Sequence, residues 1–109
     1  MSQATAWILL ITAGLLDAAW AVSMKYAEGY TRLGWTAVSL MLLAAFVYLL
    51  GKTLTVLPVG TAYAVWSGIG AAGTVILGIL LFGEAFTLGR VAGIALVVAG
   101  IVALKRLPG

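Results

Sequence analysis

Apolar residues in this chain come in four long runs, and the charged residues lie almost wholly in the short stretches between and beyond them. A helix that crosses a bilayer needs about 20 mostly apolar residues, within a range of roughly 17–25. The runs, at about residues 5–24, 33–51, 59–82 and 88–104, meet that length and predict four membrane-spanning helices. The connections Lys25–Arg32, Lys52–Leu57 and Gly83–Gly89 are too short to hold a soluble domain. The expectation is an all-α integral membrane protein in which residues 1–109 form a single four-helix domain surrounded by lipid bilayer. Pro58 is expected in the first turn of the third helix, where a missing N–H leaves nothing unpaired. Tyr26 and Tyr30 stand where interfacial aromatic belts form.

Asp17 breaks the apolar pattern of the first run, Trp7–Met24. A charge at membrane depth costs on the order of a few kcal/mol unless it faces a bundle interior or a water-filled cavity, where such groups carry ions or protons. On a helix Gly14, Ala13, Trp20 and Ala21 fall within one turn of it, which sets a small-residue patch and one indole beside the acid. A secretory leader is the competing reading, since Ala19-Trp20-Ala21 imitates a cleavage site, but Met1-Ser2-Gln3 has no positive residue.

In the third run Tyr63, Trp66, Gly70, Gly73 and Leu77 recur at helical spacing, so phenol and indole share a face that can look toward Asp17. An interfacial belt is the plainer reading, but Trp66 lies about two turns in, deeper than a belt requires. Gly68 and Gly70, with Gly73, ease a helix bend and also permit close helix contact, so hinge and packing are both open. In the last run Gly93 and Gly100, with Ala92 and Ala99, make a small stripe suited to holding two chains together. The second run has Tyr48 as its one ionisable group and offers surface for lipid or passive packing.

Composition narrows the function. The chain is 64% hydrophobic and 8% charged, with a mean hydropathy of +1.21, more than a soluble domain of this length could bury. It has no Cys and no His, which removes disulfides, thiolate chemistry and the usual zinc sites, and its three acids are too scattered for a metal cage. Neither a catalytic triad nor a phosphate-binding loop is present, so no enzyme, cofactor or metal is expected. The net charge of +3 forms no basic patch for nucleic acid. Lys25, Arg32 and Arg90 fall on one side of the membrane and Lys52, Lys105 and Arg106 on the other, a tie that sets no orientation. A chain inserting both ways supplies two inverted halves, the arrangement many transporters build from internal repeats. An antiparallel, dual-topology homodimer is therefore expected.

Two blocks of sequence resemble the small multidrug resistance family of bacterial proton-coupled exporters. They are Met24-Lys25-Tyr26 with Glu28-Gly29-Tyr30-Thr31-Arg32-Leu33, and Pro58-Val59-Gly60-Thr61-Ala62-Tyr63-Ala64-Val65-Trp66-Ser67-Gly68-Ile69-Gly70. The resemblance covers essentially the whole chain and implies four spans working as antiparallel dimers in the bacterial inner membrane. It implies that Asp17 is the embedded carboxylate that takes proton and cation in turn, that Tyr63 and Trp66 are aromatic site residues, and that Gly93 and Gly100 form the dimer contact. Trp20 and Trp7 resemble the guanidinium-exporter branch. Two positions depart from the family. Its acid is nearly always Glu, and Asp withdraws the carboxylate by about one C–C bond, roughly 1.5 Å. Phe46 falls where the guanidinium branch tends to carry a Ser bonded to the acid, which leaves Asp17 to Trp20, Tyr63 and Ser67 for partners.

The function expected is proton-coupled antiport: export of guanidinium or small guanidinyl cations by alternating access, with proton and cation excluding one another at Asp17. A quaternary ammonium or multidrug exporter is one alternative, since Phe46 enlarges the apolar wall. A subunit of a heteromeric exporter of the same family is another, against which the charge tie counts. A passive channel lacks a polar stripe along any span.

Overall fold

Helix ends in this chain are set by a few polar groups and two glycine-dependent turns. In the structure, a computed structural model that describes residues 1–106, these groups bound four helices: α1 (Gln3–Tyr26), α2 (Leu33–Thr53), α3 (Val59–Phe82) and α4 (Leu88–Arg106). Residues 107–109 of the expected domain lie outside the described residues. At ~1.5 Å per residue, helices of 19 to 24 residues reach about the ~30 Å of a hydrocarbon core. The chain is thus a four-helix, multi-pass membrane protein.

Helix α1 starts two residues ahead of the apolar run because the Ser2 hydroxyl accepts the Thr5 N–H at 3.2 Å. Helix α4 carries on through Lys105 and Arg106, cations that suit the negative end of a helix dipole. Pro58 differs from its expected place: it caps α3 with an extended ψ of 143°, one position outside the first turn. Between α1 and α2, Glu28, Gly29 and Tyr30 take consecutive left-handed conformations with φ of 50°, 71° and 67°. The two non-glycine residues there cost roughly 1–3 kcal/mol each. The turn is held by the N–H groups of Thr31 and Arg32, both bonded to the Ala27 carbonyl, and by the Arg32–Glu28 pair at 3.3 Å.

Helix α1 is the centre of the packing, with α2 on one side and α3 on the other; among the described residues the α4 backbone approaches only α3. Helices α2 and α3 also meet, at few positions. The molecule measures 44 × 34 × 17 Å along its principal axes.

Buried hydroxyls do not disturb this apolar packing. Ser23, Ser39 and Thr53 donate to the carbonyls of Trp20, Thr36 and Leu50 in their own helices. Glycines bring α1 and α3 into close contact. A Cβ on Gly14 would stand 2.6 Å from Cγ2 of Ile69, and one on Gly73 would stand 3.0 Å from Cβ of Ala18. These absent side chains let the two helices run parallel at short range, in the manner of small-residue membrane interfaces.

Candidate functional site

Asp17 sits in the middle of α1, half-buried, with its carboxylate resting on the Cα of Gly70 in the space that any Cβ would fill. Gly70 is therefore a seat for the acid. Among the described residues the Asp17 oxygens enter no ion pair.

One turn further along α1, Trp20 begins an aromatic row that crosses three helices. Its ring lies 5.5 Å from that of Phe46 on α2, tilted by 58°. Phe46, only 3% exposed, stacks on Trp66 of α3 at 5.6 Å and 28°, and Trp66 meets Tyr63 at 5.4 Å and 51°. Phe46 thus links α2 to both indoles although α2 and α3 scarcely touch elsewhere. Tyr63 is 60% exposed, so the row opens outward from the single chain. Trp66 Nε1 is buried with no hydrogen-bond partner among the described residues. An orphan donor of that kind costs about 1–3 kcal/mol.

The remaining candidates divide between this region and other surfaces. Ser67 follows Trp66 and is half-buried. Gly14 lies under Ile69 in the α1–α3 seam. Gly68 faces the other way from Gly70, with Val97 and Ile101 of α4 each 3.1 Å from where its Cβ would be, and α3 runs unbroken through both glycines. Gly93 and Gly100 are on open surface, with nothing within 4 Å of where a Cβ would stand. Gly93 borders a shallow groove of about 290 Å³ between α3 and α4, and Gly100 a second of about 340 Å³.

A second carboxylate, Glu84, is inconspicuous in the sequence, where it falls in a polar turn. Gly83, with φ 65°, folds the chain back so that the Glu84 N–H reaches the Gly78 carbonyl at 3.3 Å. The Glu84 carboxylate then rests on Gly78, as that of Asp17 rests on Gly70. Lys25 Nζ from the end of α1 lies 3.7 Å from Glu84 and 4.7 Å over the Phe82 ring, and Arg90 approaches at 3.4 Å. Thr74, midway between the two glycines, donates its hydroxyl to the Gly70 carbonyl at 2.6 Å. The Gly70, Thr74, Gly78 spacing is visible in the sequence; without the pairing of α1 and α3 it has no partner.

A family model described as Small Multidrug Resistance protein matches residues 5–97. A protein named guanidinium exporter from Yersinia pestis is 51% identical over 100 residues, covering 92% of this chain and 96% of its own length. Guanidinium exporters from Citrobacter freundii and Salmonella typhimurium are each 46% identical over 99 residues, covering 91% of this chain and 94% of their own.

Proposed function

The chain belongs to the small multidrug resistance family, and on that premise we propose that it is a proton-coupled antiporter exporting guanidinium or small guanidinyl cations from the bacterial cytoplasm. One observation carries the reading: a single carboxylate, Asp17, lies at membrane depth on an α3 glycine, one turn from an indole that starts an aromatic row. A guanidinium group offers planar N–H donors to the carboxylate and a flat face to Trp20, Trp66 or Tyr63. Proton and cation each neutralise Asp17 and exclude the other, and this exclusion is the coupling. As pH falls, protonation of Asp17 displaces the cation, so apparent cation affinity falls with it.

The exposed Tyr63, at the open end of the aromatic row, supports completion of the site by a second, antiparallel copy. In this arrangement the α4 stripe of Gly93 and Gly100 forms the contact between copies, and Gly68 and Gly70 allow α3 to bend as the loaded dimer exchanges its two faces. Gly14 lets α1 hold Asp17 close to α3, and Ser67 lends a hydroxyl to the site. A quaternary ammonium substrate is the second reading, favoured by Phe46 filling the space between the two indoles with an apolar ring.

The test is uptake of guanidinium and of a quaternary ammonium into proton-loaded liposomes containing this chain alone. Guanidinium uptake with proton release is expected, and loss of both with Asp17→Asn. Transport that survives Asp17→Asn would sink the mechanism, and quaternary ammonium uptake without guanidinium uptake would sink the substrate assignment.

A further inference from the structure

We propose that Glu84 and Phe82 form a second, outer cation site at the end of the α1–α3 seam, occupied in the resting protein by the Lys25 ammonium and open to a guanidinyl cation that displaces it. The cation's identity rests on the function proposed above; the site stands on its own geometry. A carboxylate beside an aromatic face is the pair of groups that a guanidinium needs, and here Lys25 Nζ already sits as a cation against both, 3.7 Å from Glu84 and 4.7 Å over Phe82.

Lys25 is a weakly held occupant. Its side chain is 59% exposed and its contact with Glu84 is long, and exposed pairs of this kind are weak. A guanidinium binds a carboxylate with two parallel N–H donors and lies flat on a ring, which an ammonium on a flexible stem cannot do. Glu84 itself is held in place, because the left-handed turn at Gly83 seats its carboxylate on Gly78. Arg90 at 3.4 Å neutralises part of the charge, so the outer site binds more weakly than an unpaired acid and releases its cation readily.

The position suits transfer to Asp17. A pocket of about 70 Å³ lined by Ala21, Val22, Thr74 and Gly78 adjoins Lys25, Phe82 and Glu84, several times the ~10–15 Å³ needed for one water. Ala21 is one turn from Asp17 and Thr74 one turn from Gly70. The glycines beneath the two carboxylates are eight residues apart, about 12 Å along α3. The outer site is thus the waiting place for the inner one on the side of the membrane that carries the α1–α2 and α3–α4 turns.

The experiment is an NMR titration of guanidinium chloride, against sodium chloride at equal ionic strength, into Asp17→Asn protein in micelles, following the Phe82 ring resonances. Removing the inner acid leaves the outer site to be read alone, whether or not the unaltered chain transports. Saturable Phe82 shifts are expected, abolished by adding Glu84→Gln and retained with Glu84→Asp. Adding Lys25→Met instead should tighten binding by about twofold to fivefold, the equivalent of losing one competing surface pair. A simple ion-pair latch predicts that Glu84→Gln and Lys25→Met act alike. Shifts that do not saturate, or weakening by Lys25→Met, would overturn the proposal.

Discussion

Replacing Gly70 with alanine should separate the stability of this protein from its transport. The new Cβ would collide with the Asp17 carboxylate, and the colliding atom is the end of a short side chain rather than backbone. Alanine is favoured over glycine within a helix by about 0.8–1.0 kcal/mol. Turning Asp17 away from its seat costs about 0.5–1.5 kcal/mol if it leaves its rotamer. The two nearly cancel, so unfolding in a graded detergent titration should shift by less than about 1 kcal/mol. Transport should respond differently, because displacement of a binding group by about an ångström costs on the order of 100-fold when geometry controls the rate. The assay is initial guanidinium uptake into liposomes beside the unfolding titration, with Gly51→Ala as the control because nothing lies within 4 Å of its Cβ position. Uptake within about twofold of the unaltered chain would refute the seating of Asp17 on Gly70, as would a destabilisation at or beyond the ~3 kcal/mol upper range of overpacking, which marks colliding backbones.

Two further outcomes test the packing. Gly14→Ala should lower stability by about 1–2 kcal/mol, because the β-branched Ile69 has little freedom to give way and the contact would be 2.6 Å; Gly51→Ala should raise it by about 0.5–1 kcal/mol. Equal effects in the unfolding titration would show that the α1–α3 seam is not close-packed. Gly93→Leu with Gly100→Leu should leave the fold of one chain intact, since both positions are open, while abolishing association of copies measured by light scattering in detergent. A persistent dimer would move the contact off α4.

The membrane character and the number of spans are legible in the chain because each depends on local composition alone. Four apolar runs of spanning length leave no other way to satisfy the backbone in lipid. Asp17 is legible for the same reason, since an acid at membrane depth is conspicuous against Leu, Ile and Ala. Helix ends shift by two residues where a hydroxyl at Ser2 or a terminal cation at Arg106 extends them, effects of single groups that a window of hydropathy averages away.

What lies beside Asp17 is decided only in three dimensions. The glycine at 70 reads equally as hinge or contact, and only the parallel alignment of α1 with α3 assigns it the carboxylate. Phe46 stands in the sequence as a departure in an otherwise passive span, yet packing sets it between two indoles from different helices. Glu84 is hidden because its neighbours, Lys25 and Arg90, come from other elements and meet it through the left-handed turn at Gly83. Periodicity along one helix shows which residues share a face. It does not state which helix that face meets, because in lipid the partner is chosen by fit between small residues rather than by a hydrophobic drive that composition would reveal.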